Sequence, residues 1–339
     1  MIRGCQIVIL LVGVLLASCK KDSSISVEPN DKFVLPRGFP PITYPADNEF
    51  RKDRWDLGKK LFFDKSLSRG NKISCASCHK LDLAFSDDVA LSVGENNLTG
   101  KSNSPTLANI AYHPYYTRAG GVPTLEMQVL VPIQEHDEFD FNIVDIASLL
   151  RSDSSYNQAA RNCYGRNIDP YVIVRAIANY ERTITSGNSF YDQNQWDKRN
   201  FPFTALQQEG KELFFSSRTN CALCHSGFNF TNYSFQSNGL YLNYADSGRM
   251  RLTHLESDRA LFKVPTLRNI AITKPYMHNG SVNSLEDVIQ HYNSGGFANT
   301  NKSKLIKPLG LTDGEKRALV AFLNTLTDYD LINNEKFKQ

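Results

Sequence analysis

The chain has 339 residues, 38 Lys and Arg against 35 Asp and Glu, a formal charge of +3 and 41% hydrophobic residues. That length is enough for two domains, and so small a charge without a basic stripe excludes nucleic acid as a partner. Of the seven cysteines, four fall in paired motifs and two near the N-terminus, which leaves Cys163 as the odd one. A lone Cys is more often a buried apolar filler than a reactive thiol, and no disulfide is expected.

In chain order, Arg3 precedes an apolar run from Ile7 to Leu16, and Leu16-Ala17-Ser18-Cys19 follows. The run is too short to span a bilayer as a stable helix. The tetrapeptide resembles a bacterial lipoprotein cleavage box. Residues 1–18, Cys5 among them, are therefore expected to leave as a signal peptide. Cys19 then carries a lipid that anchors an exported, periplasmic protein to a membrane. Residues 19–43 are polar and Pro-containing and read as a tether.

The next region, Arg51 to Asp64, places Trp55, Leu61 and Phe62 on one helical stripe. Cys75-Ala-Ser-Cys78-His79 follows, and Cys221-Ala-Leu-Cys224-His225 repeats the same pattern. Cys-x-x-Cys-His is the attachment signature of c-type haem. The two thiols add to neighbouring vinyl groups as thioethers, and the adjoining His faces the iron as its proximal ligand. Zinc is the alternative, but paired Cys-x-x-Cys zinc sites usually sit about 15–20 residues apart. Here the pairs lie 146 positions apart. Two covalent haem c groups are expected, and export suits them, because bacteria attach such haem outside the cytoplasmic membrane. Further helices are expected from Asp169, an N-cap followed by Pro170, from Thr204 to Phe215, and from the capping box Thr312-Asp-Gly-Glu315.

The chain also repeats itself. Leu57-Gly58-Lys-Lys-Leu61-Phe62-Phe63 precedes the first haem motif, and Glu209-Gly210-Lys-Glu-Leu213-Phe214-Phe215 the second. Pro105-Thr-Leu107-Ala-Asn109-Ile110-Ala111 recurs as Pro265-Thr-Leu267-Arg-Asn269-Ile270-Ala271, and Val122 and Leu125-Glu126 recur as Val282 and Leu285-Glu286. Ordered matches of this length indicate a duplicated unit with one haem per copy. The expected class is all-α, with two cytochrome-c-like domains at residues 44–188 and 189–333. His79 and His225 take one axial position of each iron. From the residues alone, Met127, Met250, Met277, His278, His291 and Tyr292 are all candidates for an opposite ligand.

From about Asp47 to Leu331 the chain resembles the bacterial dihaem cytochrome c peroxidase and MauG superfamily. The resemblance rests on the two haem motifs, Asn103-Ser-Pro-Thr-Leu-Ala-Asn109, Gln128 with Pro132-Ile133, Asp246-Ser-Gly-Arg249, Phe262-Lys-Val-Pro-Thr-Leu-Arg-Asn269 and Pro275-Tyr-Met-His-Asn-Gly280. It implies that the N-terminal haem reacts with peroxide. It also implies a distal acid–base Glu at Glu138, with Glu135 the nearby competitor, and a distal-pocket glutamine at Gln128. An interhaem calcium ion would take oxygens from Asn103, Thr273 and Pro275, the last two through their carbonyls. Oxygen-only ligation suits that hard cation.

Three departures from the family pattern matter. Many members place a distal His sixteen positions after the first haem His, where this chain has Glu95. The first haem is therefore expected to keep an open or water-ligated face. The second distal ligand, Met in peroxidases and Tyr in MauG-type members, falls on Tyr292, with Met277 or His291 as the alternative. A phenolate is a harder donor than a thioether and favours ferric iron. The family's interhaem Trp position holds Arg118, which leaves three readings open: a relay through Tyr115 or Tyr116, haems that communicate without an aromatic bridge, and a guanidinium that hydrogen-bonds a haem propionate. The leading expectation is reduction of hydrogen peroxide to water at the N-terminal haem. Electrons would come through the C-terminal haem from a small cytochrome c, a cupredoxin or a quinol. MauG-like oxidation of a protein or organic substrate is the alternative, and a non-catalytic dihaem carrier the third reading. A homodimer is compatible with all three.

Overall fold

In the computed structural model, residues 33–339 are described; the leader, Cys5, Cys19 and the first part of the tether lie outside the described residues. The described chain is mostly helical, in keeping with the all-α expectation. Its first half contains α1 (Lys52–Phe62), the haem-motif turn α2 (Cys75–Cys78), α3 (Leu125–Gln134), α4 (Ile143–Arg151), α5 (Ser154–Tyr164) and α6 (Pro170–Glu181). Its second half contains α7 (Phe190–Trp196), α8 (Ala205–Phe215), the haem-motif turn α9 (Cys221–Cys224), α10 (Met250–Thr253), α11 (Leu285–Ser294), α12 (Asp313–Asn324) and α13 (Tyr329–Ile332). The one ladder among the described residues pairs β1 (Phe235–Gln236) antiparallel to β2 (Phe262–Lys263).

The repeated Gly-Lys-x-Leu-Phe-Phe word has a steric cause. α1 packs on α6, and α8 packs on α12 in the same manner. At each crossing a glycine lets the backbones meet. A Cβ built at Gly58 would lie 1.9 Å from the Ala176 carbonyl oxygen, and one at Gly210 would lie 1.8 Å from that of Ala318. The helices start where their caps place them. The Asp169 carboxylate accepts from the Val172 amide at 2.9 Å, with Pro170 filling a first-turn position that needs no N–H. Thr312 and Glu315 form the expected reciprocal box at the start of α12.

Each half has its own apolar core. The first gathers Trp55, Leu61, Phe62, Ile146, Ile177 and Tyr180, and Cys163 is buried within it as a filler. The second gathers Phe214, Phe230, Leu285, Leu319, Phe322 and Leu326. The expected boundaries are crossed at both ends. Leu331 and Phe337, at the C-terminus, are buried in the first core, and Phe33 packs on it from the segment read as tether. Phe39 stacks edge-on between Tyr112 and Phe228. The tether reading therefore fails from Phe33 onward, because aromatic side chains spaced along that polar stretch find apolar partners in the folded body.

The second repeated word pins the two halves. Asn109 and Asn269 are fully buried and left-handed, with φ of 62° and 61°. The Asn109 amide donates to Ser186 O at 2.8 Å and to Asn229 Oδ1 at 3.0 Å, and its Oδ1 accepts from the Ser186 amide at 2.8 Å. Asn269 donates to Ser186 Oγ at 3.0 Å and accepts from the Asp328 amide at 2.8 Å. Both therefore close on the chain just after the long helix of their own copy. The hairpins that follow also correspond, since Tyr116 bridges Val122 and Tyr276 bridges Val282.

Gly58→Ala and Gly210→Ala should each destabilise the fold by at least about 1–3 kcal/mol, since the added methyl meets backbone that cannot swing away. Thermal unfolding of each variant against the parent chain measures this; an unchanged midpoint would contradict the tight crossings.

Candidate active site

One cavity of about 810 Å³ runs through both halves and is lined by both Cys-x-x-Cys-His motifs. The His of each motif is aimed by a backbone carbonyl. His79 Nδ1 donates to Phe85 O at 2.9 Å, and His225 Nδ1 donates to Phe230 O at 3.1 Å. Nε2 is thereby left as the ligating atom of each ring. Burial lowers the pKa of both rings, that of His225 to about 4, so both are neutral and ready to ligate. Phe85 and Phe230 themselves are left-handed, with φ of 60° and 48°. That conformation is strained for a bulky residue, and neighbouring ties hold it. Thr106 Oγ1 donates to Ala84 O, the Leu107 amide donates to Phe85 O at 3.2 Å, and Thr266 Oγ1 donates to Asn229 O at 2.6 Å. Two thiols and one neutral imidazole converge on the cavity in each half, and this donor set fits haem c.

The opposite walls differ between the halves. α3 and α11 start at Leu125 and Leu285 after equivalent N-caps, Thr124 and Ser284. Tyr292 therefore has Pro132 as its counterpart, and both line the cavity. The Pro132 side chain has no atom that can ligate a metal, and its carbonyl accepts from the Phe139 amide at 3.1 Å. Gln128 lines the first pocket, and its Oε1 is buried without a hydrogen-bond partner among the described residues. Glu138, just beyond α3, is half-buried in the cavity wall, and Glu135 lines the same wall but is exposed. Burial, then the charges of Glu135 and Asp137, push the Glu138 carboxyl up to about 7.

Glu95 is not among the cavity-lining residues. It is buried beneath its loop. Burial raises its pKa, but hydrogen bonds from Ser68 and the Lys72 amide, with the Lys72 charge, outweigh that and hold it ionised. Its own amide donates to Glu138 O at 2.7 Å. A Cβ on Gly94 would lie 2.1 Å from Asp137 O. This loop thus braces the Glu138 turn.

Of the other candidate ligands, Met277 and His278 line the cavity with Tyr292, while Met127, Met250 and His291 do not. Asn238 Nδ2 donates to the Met277 sulfur at 3.3 Å, His291 Nε2 lies 3.0 Å from Asn238 O, and the Asn238 side chain also hydrogen-bonds Tyr292.

The calcium set does not fit. Thr273 and Pro275 line the cavity, as Asn103 does. Asn103, however, already serves Arg118: its carbonyl oxygen accepts from Nε at 3.1 Å and from Nη2 at 2.7 Å, and its Oδ1 accepts from Nη2 at 3.0 Å. Unit charges 4 Å apart repel by about 4 kcal/mol at an effective dielectric of about 20, and a divalent ion beside the guanidinium by about 8 kcal/mol. The resemblance supplies the three positions but not the cation that reaches one of them from elsewhere in the chain.

Several site residues escape a reading of the sequence. Phe85 and Phe230 act through backbone carbonyls, which residue identity does not report; the weak signal is an aromatic followed by Ser86 or Thr231. Glu181 also lines the cavity, at the end of α6, where α12 presents Leu323. Burial pushes the Glu181 carboxyl up to about 8, so it is uncharged at neutral pH. Lys263 Nζ reaches Tyr115 O at 2.8 Å and His113 Nδ1 at 3.1 Å.

Comparisons with known proteins agree with this architecture. A family model described as di-haem cytochrome c peroxidase matches residues 52–200. The methylamine utilization protein MauG of Methylorubrum extorquens is 33% identical over 290 residues, which cover 84% of this chain and 81% of that protein. The cytochrome c551 peroxidase of Nitrosomonas europaea is 34% identical over 286 residues, covering 81% of this chain and 80% of that one. A crystal structure of a MauG-like protein associated with microbial copper homeostasis superposes with a TM-score of 0.86 at 32% identity, covering 91% of this chain and 98% of its own. Fold and site together define a dihaem c-type redox enzyme. The chain belongs to the di-haem cytochrome c peroxidase and MauG family, and as such it is an oxidoreductase of the cytochrome c peroxidase type with two haem c groups.

Proposed function

We propose that the chain reduces hydrogen peroxide to water in its N-terminal half, and that the C-terminal half delivers the electrons. The carrying observation is the mismatch at equivalent helix positions: Pro132 stands where the other copy has Tyr292, with Glu138 in the wall beside it. On this reading Cys75, Cys78 and His79 hold one haem, and Cys221, Cys224 and His225 the other, with Tyr292 as distal ligand. The haem supplies an iron at which the O–O bond can open. The Glu138 carboxylate accepts the proton of the near peroxide oxygen and returns it to the far oxygen, which leaves as water. The Gln128 Oε1 accepts a hydrogen bond from the bound peroxide and orients it. Two electrons and two protons complete the conversion of one peroxide to two waters. The electrons come from a small cytochrome c, a cupredoxin or a quinol. The leader and Cys19 suit a periplasmic enzyme held to a membrane by lipid.

A second reading is peroxide-driven oxidation of a protein or organic substrate. It is favoured by Tyr292 in the cavity wall at the helix position where the first copy has Pro132. Burial pushes the Tyr292 phenol up to about 12, so at neutral pH it keeps its proton unless a metal cation displaces it. A pure electron carrier is disfavoured by Pro132, and cyanide binding to one ferric haem separates it from both enzymatic readings.

A base must be ionised, and a carboxyl raised to about 7 is ionised only above that pH. The peroxide reaction should therefore accelerate with pH through about 7 and fall about tenfold per unit below it. Glu138→Gln should keep both haems, lose that pH step and slow peroxide cleavage by about 10²–10⁴-fold. Stopped-flow mixing with peroxide across pH measures both, and a variant that turns over normally removes Glu138 from the chemistry. Tyr292→Phe should alter the spectrum of the C-terminal haem alone; an unchanged spectrum would show that Tyr292 is not a ligand.

A further inference from the structure

The seam between the halves holds two cations that the peroxide chemistry does not use. Arg118 sits half-buried in the cavity wall, with three hydrogen bonds to the two oxygens of Asn103. Lys263 lines the same wall, and its backbone amide donates to Arg118 O at 2.8 Å. Neither makes an ion pair among the described residues. Asp246 faces Arg118 at longer range, and its Oδ2 is buried without a partner. Asn103 also ties the halves directly, since its amide donates to His278 O at 3.0 Å. The Asn103 oxygens are therefore the point where a cation can hold the first half's loop against the second half's 273–280 turn.

We propose that Arg118, backed by Lys263, is the permanent cation of this seam, standing on the ground that a calcium ion would need between Asn103, Thr273 and Pro275, so that the two halves assemble without calcium. A guanidinium suits the task. Its planar fork engages the backbone and side-chain oxygens of one residue together, and it is weakly hydrated, so enclosing it costs less than enclosing an ammonium. Calcium would demand six to eight oxygens, and Arg118 already engages both oxygens of Asn103. The propionate carboxylates that haem groups carry are the counter-ions two enclosed cations call for. This inference stands whether or not Glu138 performs acid–base chemistry.

The test uses the intact dihaem protein. Metal analysis after desalting should find calcium well below one ion per chain, and EGTA should leave the resting ferric spectrum and the thermal midpoint unchanged. Arg118→Gln removes the cation while keeping hydrogen-bonding capacity; its midpoint should fall and then recover by several degrees when calcium is added. Arg118→Lys keeps the charge and should stay indifferent to calcium. One tightly held calcium per wild-type chain, with a spectral or thermal change when EGTA strips it, would overturn the proposal. So would an Arg118→Gln protein that folds and gains nothing from calcium. Should that variant not fold, the wild-type metal content and EGTA response still decide.

Discussion

Two backbone carbonyls set the geometry on which everything else rests. The oxygens of Phe85 and Phe230 fix which nitrogen of His79 and His225 is free. A left-handed Phe costs about 1–3 kcal/mol, and the fold holds two of them, each beside a haem motif. The strain persists because the strands of chain that pass behind are tied down. Thr106 and Thr266 bind the neighbouring carbonyls, and Asn109 and Asn269 then anchor the same segments to the ends of the long helices. Motif histidine, carbonyl, threonine and asparagine form one continuous chain of support in each half. The Pro-Thr-Leu-x-Asn word recurs because this chain of support recurs.

On that shared frame the two copies have diverged where they face the cavity. Gln128 on α3 corresponds to Val288 on α11, Pro132 to Tyr292, and Glu181 on α6 to Leu323 on α12. Glu138 adds a further carboxyl to the first wall. One pocket is therefore lined by proton-exchanging groups with no donor atom at the distal helix position. The other presents the Tyr292 phenol at that position, with Asn238, Met277 and His278 in the same wall. Carboxyls raised towards neutrality by burial are the usual signature of a site that moves protons. The duplication supplied two equal frames, and the wall residues divide the labour.

Much of this was legible in the sequence because it is local or periodic. The haem motifs, the capping boxes, the glycine words and the ordered repeat all lie within short windows. What escaped depends on contacts between distant residues. The carbonyls of Phe85 and Phe230 carry no side-chain mark. The packing of Phe33 on the first core, and the burial of Leu331 and Phe337 in it, depend on where both ends of the described chain return. Asn103 reads correctly as an oxygen donor, yet its acceptor capacity is spent on Arg118, fifteen positions on, through a turn that no periodicity announces. A family pattern transfers positions faithfully but cannot report that a neighbouring substitution has already used the atoms.

The exchange of an aromatic residue for Arg118 therefore changes more than an electron path. A calcium ion brings two positive charges; Arg118 and Lys263 together bring two as well, fixed to the chain and unable to dissociate. Burial, then the neighbouring guanidinium, lower the Lys263 ammonium to about 8, so the pair carries its full charge at neutral pH and loses half of it in alkali. On the proposed reading, fixed positive charge at the seam would favour the reduced forms of both irons, whereas a phenolate from Tyr292 would favour the oxidised form of one of them. The seam charge would act on both halves and the phenolate on one, so the potentials would be drawn apart. Such a gap, set by one ligand against a common background, would let one site accept electrons that the other passes on.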